Sequence, residues 1–185
     1  MYKADVLPLL LEHVRSRYFG KYRGTVVDGR DPTKRGRLKV RVPSVLQHLE
    51  VWAMPCVPYA GDGVGFLSLP PANAGVWVEF EGGDPSFPIW VGCFWADGEA
   101  PEQANPDVKT WKTAQHTVRL DDAATEMKLA TSSPAVITLT DSVVTSAGGS
   151  THSVSTDGVA SESGLHKAEV TPTSFKVNDG ALEVV

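Results

Sequence analysis

The sequence predicts an all-β protein with a short helix near its N-terminus, a small closed barrel and a C-terminal region of short strands. Apolar and polar residues alternate with a period of two in several short segments, which is typical of strands. Clusters of glycine and proline separate these segments, as they do in small barrels. All five Trp and all four Tyr lie at or before Trp111. Only the first part of the chain can therefore build a globular core alone.

Residues 4–19 fit a short amphipathic helix. Its apolar stripe would consist of Val6, Leu9, Leu10, Val14 and Phe19. Asp5 suits the helix N-terminus and Gly20 its end, because glycine readily adopts the left-handed conformation that closes many helices. Pro8 is tolerated only in the first turn, so the helix is expected to start near Leu7.

Four strands are predicted between this helix and residue 69. They cover residues 21–29, 37–43, 51–57 and 66–69, and the glycine-rich residues 59–65 are predicted to form a flexible loop. The second strand alternates most clearly, with Leu38, Val40 and Val42 facing inward. Its outer face then carries three cations, Arg37, Lys39 and Arg41.

The stretch GVWVEFEGGDPSFPIWVGCFW, residues 75–95, predicts two more strands joined by a tight turn. Val76, Val78 and Phe80 would point to one side of the first strand, and Trp77, Glu79 and Glu81 to the other. Gly82, Gly83 and Pro85 supply the turn. Residues 89–95 are almost wholly apolar, as in a strand covered on both faces.

Cys56 and Cys93 lie in apolar, strand-like settings, which predicts buried free thiols. Two cysteines alone do not establish a disulfide. The apolar run at residues 7–11 is too short for a signal segment or a membrane span. Synthesis and assembly in the cytoplasm are therefore expected.

The composition changes after residue 96. Residues 97–111 are predicted to be a linker, because DGEAPEQANPD at 97–107 is polar and contains proline. Beyond it, residues 116–121, 126–131, 135–140 and 174–178 predict short alternating strands. The domains are thus predicted as a helix at 1–20, a barrel at 21–96, this linker, and a tail at 112–185.

The tail has too few apolar residues for a core of its own. Phe175 is its only aromatic residue, and one apolar side chain every few positions cannot offset the entropy of ordering the chain. The tail is therefore either disordered or wound with identical chains, so that each buries its thin apolar stripe against the others. The sustained alternation favours the second.

Charge is segregated along the chain. Residues 1–41 contain eleven Lys and Arg and four acids, whereas residues 42–108 contain nine acids and no Lys or Arg. Such polarity indicates a surface that meets its neighbours in a fixed orientation. Arg37, Lys39 and Arg41 are the candidate docking residues. A solvated basic strand beside acidic loops is the alternative.

The sequence does not predict an enzyme. It has no nucleophile elbow, no zinc-protease motif and no phosphate-binding loop. Glu79 and Glu81 have a spacing that two glycosidase carboxylates could use, although an acidic outer strand face explains them as well. His152 and His166 are isolated in the sequence. We therefore predict no catalytic residues, no metal and no cofactor, although association of identical chains could bring copies of one histidine together.

The 75–95 stretch resembles the oligonucleotide/oligosaccharide-binding (OB) barrel of the baseplate-assembly-protein-V and central-spike family. Matching segments are KYRG at 21–24, RLKVRVP at 37–43, WAMP at 52–55 and VNDGALEV at 177–184. That family serves contractile phage tails, type VI secretion spikes and related injection systems.

The resemblance implies a structural function. The fold would be an N-terminal helix, an OB barrel and an intertwined trimeric β-helix, which is the needle that pierces the target cell envelope. The homotrimer would dock on a separate baseplate hub, through the candidate docking residues above. Its location would be the virion tail baseplate or an extracellular contractile injection particle.

The alternative function is an OB module that binds single-stranded nucleic acid. Barrels of this type often use the face from which Arg37, Lys39 and Arg41 project. Such binding also requires exposed aromatic side chains amid positive charge. Here the aromatics lie in the acidic stretch, and the sequence pI is about 5.5. No nucleic-acid partner is therefore expected.

The C-terminal residues predict a blunt needle end. Phe175 and Val177 alternate before a turn at 178–180, and Leu182 and Val184 alternate after it. A β-helix that stopped there would expose apolar side chains and unpaired backbone groups, although a frayed terminus is the alternative. In relatives with such endings the tip binds a protein of the proline-alanine-alanine-arginine repeat class. The candidate docking residues are Asp179, Gly180, Ala181, Leu182, Glu183, Val184 and Val185.

Overall fold

The computed structural model describes residues 6–133 and 135–185 and confirms the all-β class. The chain forms two compact units, Met1–Glu99 and Ala100–Val185. Within the described ranges, no helix combines the length and the apolarity that crossing a membrane requires.

Helix α1 spans Val6–Arg15, so it ends earlier than the predicted boundary at Gly20. The helix ends at Arg15 because the residues that follow it bind to the barrel instead. The Tyr18 N–H donates to the Gly83 carbonyl at 2.8 Å, and Arg17 forms an ion pair with Asp84 at 2.9 Å. No residue of α1 is buried, and its apolar stripe faces solvent. Asp5, the predicted N-terminal residue, lies outside the described residues.

Five strands close the predicted barrel. They are β1 (Tyr22–Asp28), β2 (Leu38–Arg41), β3 (Glu50–Pro55), β6 (Gly75–Phe80) and β7 (Pro88–Phe94). Their order around the barrel is β1-β2-β3-β7-β6, and only the β3–β7 pair is parallel. A short helix, α2 (Pro43–Leu46), follows β2. The core consists of Val26, Leu38, Val40, Val42, Ala53, Val76, Val78, Phe80 and Trp90, so the predicted alternation in β2 and β6 is confirmed.

The β6–β7 hairpin forms as predicted, with a 3₁₀ turn at Glu81–Gly83. Gly75 is required in β6 because the Phe94 ring covers it, and an added Cβ would lie 2.7 Å from that ring. The expectation that residues 89–95 are covered on both faces was wrong. Trp90 is buried, but Cys93 and Trp95 are exposed because they lie where the strand leaves the barrel.

Two other expectations for this unit were wrong. Residues 66–69 form no strand. Instead β4 (Ala60–Gly61) and β5 (Val64–Gly65) form a small hairpin in the predicted loop, and the Phe66 N–H donates to the Tyr59 carbonyl at 2.9 Å. Cys56 and Cys93 are free but exposed rather than buried. Cys56 follows Pro55, the last residue of β3, and so lies outside the barrel wall.

The second unit is a single antiparallel sheet of ten strands, each paired with the next in sequence. The strands are β8 (Val108–Lys112), β9 (His116–Asp121), β10 (Glu126–Thr131), β11 (Ala135–Leu139), β12 (Val143–Ala147), β13 (Ser150–Ser155), β14 (Gly158–Ser163), β15 (His166–Val170), β16 (Phe175–Val177) and β17 (Leu182–Val184). The predicted strands near 116, 126, 135 and 174 are confirmed. The linker predicted over 97–111 is shorter, because β8 already pairs with β9 from Val108 onward.

Candidate functional site

The outer face of β2 carries the predicted docking cations, and each of them has an acidic partner within the barrel. Lys39 and Arg41 both bind Glu50, at 3.3 and 2.6 Å. Glu50 reaches them because Arg41 and Glu50 are directly opposed in the β2–β3 ladder. Hydrogen bonds from Arg41 and Lys39 lower the pKa of Glu50. Lys39 and Arg41 keep 36% and 49% of their side chains exposed, so a partner can still reach them.

Arg37 differs from the other two cations because it is mostly buried and paired with an acid of the preceding loop. Its guanidinium donates two hydrogen bonds to Asp31, at 3.1 and 2.8 Å, and lies 5.3 Å from the centre of the Trp52 ring. Only 16% of the Arg37 side chain and 3% of the Asp31 side chain are exposed.

Asp31 organises the loop between β1 and β2. Its carboxylate accepts hydrogen bonds from the backbone N–H groups of Thr33 and Arg35, at 3.0 and 2.9 Å. The hydrogen bonds from Arg37, followed by those of the loop backbone, hold the pKa of Asp31 far below its ordinary value. The Arg37–Asp31 pair therefore fixes the hairpin rather than offering a free cation.

A further cation, which was not predicted from the sequence, lies on β1 next to strand β6 rather than β2. The Arg23 guanidinium is 4.9 Å from the centre of the Trp77 ring and 4.7 Å from that of Phe94. Strand pairing builds this group, which we call the Arg23 cluster: Arg23 opposes Trp77, and Phe94 opposes Gly75. Arg23 and Phe94 are 71 positions apart in the sequence, so only the topology brings them together.

Glu79 and Glu81 do not form a pair of free carboxylates. Glu79 binds Lys21, which lies just before β1. Within residues 6–133 and 135–185, no three His, Cys, Asp or Glu side chains cluster in a way that could hold a metal ion.

In the ten-stranded sheet, the register aligns one apolar residue from each of nine successive strands. Directly paired positions join these residues into a row across one face of the sheet. This apolar row consists of Leu120, Met127, Leu139, Val143, Val154, Val159, Val170, Phe175 and Val184. Several of its members are about two-fifths exposed, including Leu120 at 41%, Val143 at 43% and Val154 at 42%.

A second row on the same face runs beside the first. It contains Val118, Leu129 and Ile137, and then becomes polar at Thr145, His152 and Ser161. His152 Nδ1 lies 2.8 Å from the Ser161 hydroxyl. A groove of about 740 Å³ lies along β9–β14, with residues of this second row in its lining.

The other face of the sheet is polar and carries ion pairs between neighbouring positions. Arg119 binds Asp121 at 3.0 Å, and Lys176 binds Glu183 at 3.2 Å. The two faces therefore differ in chemistry where these residues lie: one carries ion pairs, and the other presents the partly exposed aliphatic side chains of the apolar row.

Comparison with known families identifies the barrel. Residues 22–95 match the model of the type VI secretion system/phage-baseplate injector OB domain. These limits coincide with the barrel wall, from the first residue of β1 to one residue beyond β7. The barrel belongs to this family. No curated protein matches the sequence of the chain.

The injector OB domain match ends before the sheet, so the predicted tip-docking residues lie outside it. The structure forms the predicted turn at Asn178–Gly180, and Leu182, Glu183 and Val184 follow as the edge strand β17. Leu182 and Val184 are 56% and 59% exposed and continue the apolar face. Glu183 lies on the polar face, paired with Lys176.

Proposed function

We propose that this chain is the central spike of a contractile injection machine. It acts as a homotrimer. The injector OB domain docks on a separate baseplate hub, and the C-terminal sheet winds together with the sheets of two other copies into a needle. This needle pierces the target envelope. The observation that carries this proposal is the apolar row, which continues through nine successive strands.

The row requires a partner because a single sheet cannot bury it. Val143 and Val154 stay more than two-fifths exposed in the folded chain. A contiguous apolar surface of this extent in a soluble protein marks an association surface. A layer of strands becomes stable when its apolar face packs against another layer.

A second copy of the same chain supplies the matching surface. A partner must present apolar side chains at the same spacing over nine strands, and an identical chain does so by symmetry. Intertwining also pairs the backbone groups of the sheet edges, which removes free edges and stiffens the needle. The number three is the one implied by the resemblance to the central-spike family.

Docking on the hub uses Lys39 and Arg41, the two β2 cations that remain exposed. Both are held by one carboxylate, Glu50, so together they leave one net positive charge on the outer face of β2. An acidic surface on the hub would either compete with Glu50 for these two cations or form additional ion pairs with them. Arg37 does not contribute directly, because Asp31 occupies its guanidinium.

The C-terminal end of the needle binds a conical protein of the proline-alanine-alanine-arginine repeat class. This part of the proposal rests on the exposed Leu182 and Val184 of the edge strand β17. The work of the assembly is mechanical rather than enzymatic, and its place is the tail baseplate of a phage or a related extracellular particle.

Truncation after Asp107 tests whether the sheet carries the assembly. Without β8–β17, the remaining chain should retain the folded barrel, whose core lies wholly within residues 26–90. Sedimentation should then report a monomer or a weakly associating species. A truncated barrel that remained a tight trimer would contradict the role given to the apolar row.

A further inference from the structure

The Arg23 cluster presents a cation without an acidic partner. Of the cations on β1 and β2, Lys39 and Arg41 bind Glu50, whereas Arg23 has no ion pair with any described residue. Its guanidinium instead contacts the faces of two aromatic rings, which lie 5.0 Å apart. A guanidinium held in this way keeps its N–H groups available at its edge, which suits a carboxylate from another molecule.

An acid without an ion pair among the described residues lies on another segment of the same unit. Residues 59–69, which we call the arm, contain the β4–β5 hairpin, with Asp62 in its turn. Asp62 has no ion pair among the described residues. Apolar side chains surround it on the arm: Tyr59, Val64 and Leu67 are 57%, 54% and 75% exposed. The arm thus combines one free carboxylate with an apolar surface.

These two surfaces cannot meet within one barrel. The arm packs near Gly36, which precedes β2, since a Cβ added there would lie 3.9 Å from Leu67. The Arg23 cluster lies beyond the other end of β2, where Arg41 opposes Thr25. The barrel wall therefore separates the two surfaces, so a contact between them can form only between two molecules.

An identical chain is the partner that both surfaces fit. The Arg23 guanidinium comes from the segment with eleven Lys and Arg, and the arm comes from the segment with nine acids and no Lys or Arg. The apolar side chains of the arm also match the rings of Trp77 and Phe94. Two unlike complementary surfaces on one chain produce a head-to-tail contact, which closes into a ring when the rotation per copy permits.

We propose that the arm of one copy docks on the Arg23 cluster of the next copy, with the Asp62 carboxylate accepting hydrogen bonds from the Arg23 guanidinium. Three such contacts would close the barrels of the spike into a ring. This inference rests on the proposed homotrimer, in which the sheet supplies the main association and the barrel contact fixes the orientation of the barrels. Alone the contact is weak, because it consists of one exposed ion pair and a small apolar surface.

Cross-linking of the full chain tests this contact. One cysteine replaces Thr25, on the outer face of β1 beside Arg23, and another replaces Val64, on the arm beside Asp62. Cys56 and Cys93 are changed to serine in all variants. A short bismaleimide should then join copies covalently into dimers and trimers. The control pairs Val64→Cys with Ser86→Cys, an exposed position in the turn between β6 and β7 at the far end of the hairpin from Thr25, and should remain unlinked.

Charge reversal on the same cysteine variants separates the contact from simple proximity. Arg23→Asp or Asp62→Arg alone should slow cross-linking roughly tenfold, because each places like charges together. The double variant, Arg23→Asp with Asp62→Arg, should restore the rate. This restoration also shows that the single variants had not merely lost their fold.

Light scattering on the same samples distinguishes the remaining outcomes. A trimer in which the cysteines at positions 25 and 64 do not cross-link would overturn this inference and leave the proposed function intact. A monomer would overturn both. If Arg23→Asp abolished binding of an oligothymidylate but left the cross-linking rate unchanged, the Arg23 cluster would be a single-strand binding surface and the proposal would be wrong.

Discussion

Shortening Val154 to alanine should weaken the trimer by about 30-fold in its dissociation constant. The change removes two CH₂ equivalents, whose full burial contributes about 1.6 kcal/mol. In the single chain 42% of Val154 is still exposed, and that fraction is what partner chains can cover. The loss is therefore about 0.7 kcal/mol per chain and about 2 kcal/mol per trimer, where 1.4 kcal/mol corresponds to tenfold.

The matched control is Thr151→Ala, on the same strand but on the opposite, polar face, where Thr151 opposes Glu162. It should leave the dissociation constant unchanged. Val154→Lys should prevent assembly, because it would place a charge without a partner in the apolar interior. Sedimentation equilibrium over a dilution series measures all three variants. Equal dissociation constants for Val154→Ala and Thr151→Ala would refute the idea that the apolar row lies between chains.

Three further predictions concern the hub, the loop and the tip. Replacing Lys39 and Arg41 by glutamine should weaken hub binding in a pull-down while the Tm of the barrel changes little, because exposed ion pairs contribute little to stability. Unchanged hub binding would exclude this face. Asp31→Asn should lower the Tm. Because the pKa of Asp31 is lowered in the folded protein, the Tm difference from wild type should stay constant down to about pH 4 and shrink below it; a difference independent of pH would contradict the Arg37–Asp31 pair. Leu182→Asp, which lies outside the apolar row, should weaken binding of the tip protein, measured by calorimetry, with the molar mass retained and Glu183→Gln as the control.

Much of the barrel could be predicted from the sequence, because its wall follows local alternation. Val76, Val78 and Phe80 point inward as their spacing predicts, and so do the apolar residues of β2. The strand predicted at residues 66–69 was wrong for a related reason: a short apolar run resembles a strand, whereas the pairing places the two strands of this segment at Ala60–Gly61 and Val64–Gly65. The exposed cysteines were missed because alternation does not indicate where a strand leaves the wall.

The surfaces could be predicted only in part, because they depend on pairs distant in sequence. The outward direction of Lys39 and Arg41 follows from period two, but their shared partner Glu50 depends on the register of β3. The Arg23 cluster likewise joins residues of three strands. In the sheet, the sequence showed that each strand alternates. Only the register showed that the apolar residues align into one row.

The molar mass of the full chain in solution tests the central claim most directly. Light scattering should give about 59 kDa, three times the 19.8 kDa of one chain. That mass should persist on dilution to the concentration at which the chain truncated after Asp107 is monomeric. A stable species of 19.8 kDa, with backbone amides of β9–β17 protected from hydrogen exchange, would show that the sheet folds without partners and would contradict the proposed spike.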